Sequence, residues 1–325
     1  MQYKRLGLSG LKASSIALGA MGMGSPSWRS WVLDSKAARP VVEKALELGI
    51  NMIDTCDFYS TGESERVVGQ ILKDMGMRDQ VIIATKVGNP MGRGVNNYGY
   101  SRKHIFEAVD ESLRRLGTDR IDLYQTHIWD AQTNIEEMVD AFDQLVKQGK
   151  ILYVGATDIP CWQLAKAVYY ARASGRIAFS TLQHHYNAVW REDERDLIPF
   201  CRAEGLGMLP YSPVARGFLA AQERRSEKNT ERARTDGYAW SWYGRPADEA
   251  VAITIEEVAV RLGVQPAQVA LRWVMESVPE SIPVIGPTTV KQVQAAVEAT
   301  QLTFDRQLWA EIDKHYEPRK SGGHF

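Results

Sequence analysis

A (β/α)8 barrel is the fold this sequence predicts, and three observations predict it. Eight short apolar runs recur along the chain, and helix-patterned segments separate them. Most of the runs start roughly 25–40 residues apart, the size of one strand–helix unit. Runs that are apolar on both faces suit a parallel sheet covered by helices. Eight units in 325 residues make one barrel with insertions, read as a single domain over 1–325. A doubly wound open sheet is the rival, and it needs a glycine-rich turn opening a helix. Here the glycines of "GAMGMG" (19–24) lead into "SPSWRSWVLD", which has no helical pattern. The barrel is preferred.

The elements follow in order. "MQYKRLGLSGLKA" reads as a hairpin turning at Ser9–Gly10 and forming a plug under the barrel. "SSIALG" (14–19) is the first barrel run. "ARPVVEKALELG" puts Val41, Val42, Ala45, Leu46 and Leu48 on one side of a helix, with Gly49 as C-cap candidate. "NMIDT" (51–55) is the second run, and a helix starts at Glu63. "VIIATKV" (81–87) is the third. After it, "SRKHIFEAVDESLRRLG" has Ser101 as N-cap, an apolar face of Ile105, Phe106, Val109 and Leu113, and a stop at Gly117. "IDLYQTH" (121–127), the helix "IEEMVDAFDQLVKQG", "ILYVGAT" (151–157), "STLQHHYN" (180–187) and "LGMLPYSP" (206–213) continue the alternation. Residues 218–248, with "DGYAWSWYGRP", read as a long polar and aromatic loop, a length that marks function or disorder. The helix "PAQVALRWVMES" and the run "IPVIGP" (282–287) complete the eight.

Composition narrows the partners. The net charge of −1 gives no field to draw nucleic acid or an acidic membrane, so a small molecule is the expected partner. The three cysteines, Cys56, Cys161 and Cys201, are scattered, with no metal-ligand spacing. No metal is expected, and the pattern suits a reducing cytoplasm. The N-terminus lacks the apolar core of a signal peptide, and no run approaches a membrane span. A cytoplasmic protein is the expectation, with a homo-oligomer left open.

In a barrel, chemistry collects at the C-terminal ends of the strands. Those ends carry Asp54 and Tyr59 after the second run, Lys86 on the third and His127 closing the fourth. A free phenol, with a pKa near 10, is a poor acid at neutral pH, and a nearby ammonium lowers it. Lys86 supplies that ammonium, and Asp54 holds Lys86 by a charge-assisted hydrogen bond. Tyr59 can then protonate a carbonyl oxygen while hydride reaches the carbon, with His127 orienting the carbonyl or relaying the proton. Singly, each has a bland reading: a cap, a packed ring, a core imidazole. Lys86 resists it most, because an unpaired buried ammonium is costly. Cys56, beside the group, reads as a packing residue.

With these residues in place, the sequence resembles an aldo-keto reductase of the branch holding bacterial reductases and the β subunits of voltage-gated potassium channels. The likeness runs nearly end to end, through "YKRLGLSGLKAS", "GINMIDTCDFYSTGESERVVGQIL", "IATKVG", "SLRRLGTDRIDLYQTH", "GKILYVGATD", "LQHHYNAVWRE", "YSPVARGFL" and "PVIGPTTVKQV". It implies a catalytic tetrad at Asp54, Tyr59, Lys86 and His127. It also implies an extended nicotinamide cofactor, NADPH ahead of NADH, without a Rossmann fold. Gln183 is then matched to the carboxamide and Tyr211 to the face of the nicotinamide ring. Ser212, Pro213, Val214, Arg216 and Gly217 line the pyrophosphate and ribose, and Thr288 and Gln292 reach the adenosine end. Met21, Asp54, Thr157, Asp158 and Gly286 complete the cofactor contacts. Two departures stand out. Thr157-Asp158 replaces the Ser-Asn of many members, and a carboxylate accepts but does not donate. Thr289 takes the place of a basic residue for the 2′-phosphate, with Lys291 two residues on.

The resemblance carries two functions: reduction of an aldehyde or ketone (a sugar or another multifunctional carbonyl included), or an NADP(H)-binding sensor like the channel β subunits. The substrate walls expected are the loops 20–33, 88–100, 128–134 and 218–248. On them Trp28, Trp31 and Trp129 join Tyr59 and His127 around a partly apolar carbonyl compound.

Overall fold

In the computed structural model, which describes residues 1–222, 225, 230–303 and 305–319, the chain begins with an antiparallel hairpin of β1 (Tyr3–Arg5) and β2 (Lys12–Ser14). Its turn is wider than a two-residue reversal at Ser9–Gly10. Leu6 N donates to Leu11 O at 2.9 Å and Ser9 N to Leu6 O at 3.2 Å. The hairpin is nevertheless the expected plug. Leu6 is fully buried with Ala17, Met52, Ile82, Leu123 and Leu209 in the barrel interior. Gly7 sits at φ +59, where a Cβ would lie 2.5 Å from Gly205 O and Gly207 N, so only glycine lets the turn press against the start of a strand.

Eight parallel strands close the barrel: β3 (Ala17–Gly19), β4 (Met52–Asp54), β5 (Ile82–Val87), β6 (Ile121–Thr126), β7 (Ile151–Thr157), β8 (Thr181–His185), β9 (Gly207–Tyr211) and β10 (Val284–Ile285). β10 pairs with both β3 and β9, which removes the sheet edges. All eight expected runs become strands. The last is only two residues long, since prolines at 283 and 287 cannot donate to a ladder.

Side-chain alternation then sets the interior. Met52, Ala84, Leu123 and Leu209 fill the lower layers. Two residues further along the same strands, Asp54, Lys86, Gln125 and Tyr211 share that inward parity. The even-spaced partners Ile53, Ile83 and Tyr124 face the helices in the larger outer core. Gly155, opposite Gln125 in the ladder, is required: a Cβ there would strike Thr181 Oγ1 and come within 2.9 Å of Gln125 Cγ.

The helices between strands follow their caps. Asp34 caps the helix Ser35–Glu47, and Gly49 lies just past its end at φ +87. Ser101 caps Arg102–Leu116 by accepting from His104 N, and Gly117 ends it at φ +65. The buried stripe of that helix runs through His104, Ile105, Ala108, Val109, Ser112 and Leu116. Phe106 and Leu113 are therefore only half-buried, one step off the stripe.

The segment 218–248 differs from the expected loop. It holds two short helices, Glu231–Thr235 and Gly237–Trp242, and Pro246 already opens the helix Pro246–Leu262. Thr230 caps the first through Ala233 N. Buried Tyr243 anchors the second, its hydroxyl 2.5 Å from His185 Nε2. Residues 223–224 and 226–229 of this segment lie outside the described residues. Among the described residues no helix is long and apolar enough to cross a membrane.

Candidate active site

The inward parity delivers Asp54 and Lys86 to one point at the C-terminal mouth. Lys86 Nζ donates to Asp54 Oδ2 at 2.6 Å and to Thr55 O at 2.9 Å. Lys86 is fully shielded from water and Asp54 nearly so. Asp54 Oδ1 accepts from Gln125 Nε2 at 3.1 Å and from Gln183 Nε2 at 2.9 Å. The carboxylate is thus fully partnered, which a buried charge requires. Burial by itself depresses the Lys86 pKa, but the attraction of Asp54, with Tyr59 and Cys56 behind it, outweighs burial and holds the ammonium above its ordinary value. Lys86 is charged at neutral pH.

Tyr59 follows on a sharp turn. Ser60 and Thr61 have φ +51 and +53, and Gly62 has φ +88 before the helix Glu63–Met75 begins. Such left-handed residues in succession are strained, a feature that gathers at functional sites. Ser60 Oγ ties this turn to the preceding loop by accepting from Ser25 N at 3.2 Å. The Tyr59 hydroxyl lies 3.4 Å from Lys86 Nζ. Burial raises the Tyr59 pKa above the ordinary phenol value, and the Lys86 charge opposes it without winning. The sequence-based expectation of a net lowering is corrected: the ammonium limits the rise only.

His127 is half-buried, edge-on to Tyr59, with ring centroids 5.6 Å apart. Its Nδ1 lies 2.7 Å from Asn89 Nδ2 and 2.9 Å from Cys56 Sγ. An amide nitrogen only donates, so Nδ1 is the acceptor and the neutral ring carries its proton on Nε2. Burial first, and the Lys86 charge second, push the His127 pKa well below its ordinary value. The ring is therefore a neutral hydrogen-bond donor at pH 7 and suits orienting a carbonyl better than relaying a proton. Tyr100 fixes its backbone, because the hydroxyl accepts from His127 N at 2.9 Å and donates to Ile128 O.

The residues matched to a dinucleotide surround this centre. Tyr211 ends β9, and its hydroxyl donates to Asp158 Oδ2 at 2.9 Å. Its ring stacks on His185 at 5.2 Å. Asp158 has φ +45, and burial lifts its carboxyl to about 7, against the donation from Tyr211. The segment from Ser212 to Gly217 turns through positive φ at Ser212, Ala215, Arg216 and Gly217. Pro213 is buried and Val214 half-buried. Met21 is half-buried just past β3. Gly286 is exposed past β10. Thr288 N donates to Gln292 Oε1 at 2.6 Å, Thr289 caps the helix Val290–Ala299, and Lys291 is exposed in its first turn. Two buried polar atoms in this set, Arg216 Nε and Thr157 Oγ1, have no partner in the protein. Buried polar atoms normally have one, so the set fits an extended anionic dinucleotide. Gln183 is the exception in orientation, since its amide nitrogen is directed to Asp54.

The expected substrate walls divide. Trp28 and Trp31 line a cavity of about 540 Å³ with Arg29, Asp236 and Tyr238. Trp129 packs against the barrel core and is not among that cavity's lining residues. None of the tetrad lines it, but Trp28 packs edge-on against Phe58, next to Tyr59, at 6.1 Å.

Asn89, Gln125 and the Cys56 contact were missed in the sequence. Gln125 was findable, because it alternates with Leu123 in "IDLYQTH" and so faces inward. Asn89 lies in a loop, where no periodicity points.

The chain is similar to known proteins along most of its length. The aldo/keto reductase family description matches residues 15–317. Versiconal hemiacetal acetate reductase of Aspergillus parasiticus is 37% identical over 340 aligned positions, covering 98% of this chain and 98% of its own. A putative aryl-alcohol dehydrogenase of Schizosaccharomyces pombe is 32% identical over 340, covering 97% and 96%. The NADP(+) aryl-alcohol dehydrogenase of Phanerodontia chrysosporium is 32% identical over 310, covering 91% and 80%. All three bear the names of enzymes.

Proposed function

This chain belongs to the aldo/keto reductase family and is an oxidoreductase, and from that premise we propose that it reduces an aldehyde or ketone to the alcohol with NADPH, using Tyr59 as general acid. The observation that carries the reading is the Asp54–Lys86–Tyr59 chain of contacts at 2.6 and 3.4 Å.

A bound NADPH supplies the hydride. Tyr59 holds its proton through neutral pH and gives it to the carbonyl oxygen as negative charge develops there. A developing alkoxide is a far stronger base than a phenolate, so a raised phenol pKa is no obstacle. Lys86 stabilises the phenolate left behind, an interaction that grows in the transition state. Asp54 keeps Lys86 charged and aimed. His127 donates from Nε2 to the same oxygen and fixes the face presented. Gly286, Thr288, Gln292, Lys291, Arg216, the Ser212–Gly217 turn and the Tyr211 ring hold the cofactor. Thr157, Asp158, Gln183 and Met21 border its nicotinamide end. The exposed Lys291 at a helix N-terminus is the group suited to a 2′-phosphate.

The names of two relatives refer to aryl alcohols, so an aromatic aldehyde is the first substrate to try. The free cysteines fit a cytoplasmic setting. A panel of aromatic and aliphatic aldehydes, ketones and sugars, assayed by NADPH oxidation, tests the reading. Turnover of at least one compound, with NADH inferior, is expected. Tight NADPH binding with no turnover across the panel overturns it and favours the sensor.

A further inference from the structure

The cavity beside the mouth is walled by Trp28, Arg29 and Trp31 from one loop and by Asp236 and Tyr238 from the other. Its volume of about 540 Å³ is that of a small-molecule site. The Arg29 guanidinium lies 4.3 Å from the Trp28 ring centroid, 5.7 Å from Trp31 and 6.0 Å from Tyr238. Among the described residues no carboxylate pairs with it, although Arg216, Arg232 and Arg234 nearby each have one. Aromatic faces hold a guanidinium in place and leave its N–H fork open.

Charge around the cavity is unbalanced. Asp236 Oδ2 accepts from Arg216 at 2.6 Å and from Arg232 at 3.1 Å. Two guanidiniums therefore share one carboxylate, and Arg29 adds a third positive charge to the same cavity region. Burial first, then Arg216 and Arg29 among its neighbours, pull Arg232 down to about 10. Glu231, an acid nearby that does not line the cavity, is engaged with Arg234 and Ser30. Arg216 and Arg232 do not line the cavity, and Arg232 lies toward Gly286. Among the described residues Arg29 is the one cation on the cavity's lining, while Arg232 and Arg216 sit over the Trp31 and Tyr238 rings at 4.4 and 5.5 Å.

We propose that this cavity binds the distal part of the carbonyl substrate, and that Arg29 selects substrates carrying a carboxylate on an aromatic ring. The ring stacks among Trp28, Trp31 and Tyr238 while the carboxylate meets the guanidinium fork. Trp28 packs against Phe58, the residue before Tyr59, so the cavity borders the turn that carries the proposed proton donor. The inference rests on the reductase reading above and adds the substrate class.

The test uses 4-formylbenzoate and its methyl ester, which share the aldehyde and differ in charge. The parent should prefer the acid in kcat/KM by about 10-fold or more, the effect of one charge-assisted hydrogen-bonded pair. Arg29→Gln should erase that preference, leave the ester within about 3-fold, and leave NADPH affinity by fluorescence titration unchanged. Arg29→Lys should keep part of the preference, which guards against a mere folding defect in the glutamine variant. An equal loss for acid and ester, a parent that favours the ester, or weakened NADPH binding in Arg29→Gln overturns the proposal. If the parent reduces no carbonyl at all, the reductase reading has failed instead. Calorimetric binding of benzoate against benzamide to parent and Arg29→Gln then decides the subsite by itself.

Discussion

Asn89 Nδ2 stands 2.7 Å from His127 Nδ1, and this contact determines which imidazole nitrogen is free to act. With Nδ1 occupied as an acceptor, Nε2 carries the proton. Asn89→Asp offers an acceptor in place of the donor and should turn the ring to the opposite tautomer. A fall in kcat of about 10-fold or more is expected, with cofactor affinity unchanged. Nitrogen-15 shifts of the ring in parent and variant would report the tautomer directly, and identical shifts would count against the assignment.

Tyr59→Phe removes the proposed proton donor and keeps the ring. Turnover should drop about 100-fold or more, while NADPH affinity stays near the parent value. In the parent, activity should not fall on the alkaline side until above the ordinary phenol range, because burial raises this hydroxyl. Near-normal turnover by the phenylalanine variant removes Tyr59 from the mechanism.

Lys86→Met should cost activity severely and stability as well. It leaves Asp54 buried with two amide donors and no counter-charge. Breaking a buried pair in this way costs roughly 3–5 kcal/mol. Adding Asp54→Asn should restore part of the Tm without restoring turnover. A Lys86→Met enzyme within a few-fold of the parent rate would make Lys86 a structural ion-pair partner only.

Asp158 is lifted to about 7 by burial. Its folded value exceeds the ordinary carboxylate value, so its contribution favours the fold at low pH and is lost as pH rises toward 7. Asp158→Asn keeps a donor at every pH and tolerates the positive φ. The variant should gain Tm relative to the parent at pH 8, and the gain should shrink steadily as pH falls from 7 to 4. NADPH affinity of the parent should weaken between pH 6 and 8, and that of the variant should stay level. Parallel pH profiles would show that Asp158 does not meet the cofactor.

Lys291 is exposed in the first turn of the helix Val290–Ala299. Lys291→Ala should weaken NADPH binding and leave NADH binding alone, narrowing the gap between them by roughly 3- to 10-fold. An unchanged ratio assigns the 2′-phosphate to another group.

The sequence by itself determined the barrel and the placing of Asp54, Tyr59, Lys86 and His127 at one end of it. Eight apolar runs can be covered on both faces only by helices, and the period-two alternation that buries Met52, Ala84 and Leu123 carries Asp54, Lys86 and Gln125 inward on the same strands. His127 and Tyr59 were legible because they sit within a few residues of strand ends. Tertiary structure decided what that alternation cannot express. Whether the Tyr59 pKa ends below its ordinary value depends on how much water remains at the hydroxyl, and burial outweighs the Lys86 charge. The tautomer of His127 depends on Asn89, brought from a loop with no period of its own. Asp54 draws the amide of Gln183 across the barrel, 129 residues away in the chain. The helices at 231–242 form where a polar, aromatic composition reads as a loop, held by the Thr230 cap, the Asp236 ion pairs and the contact of Tyr243 with His185. Strand periodicity is a local property of the chain, whereas desolvation and contacts between loops exist only once the barrel has closed.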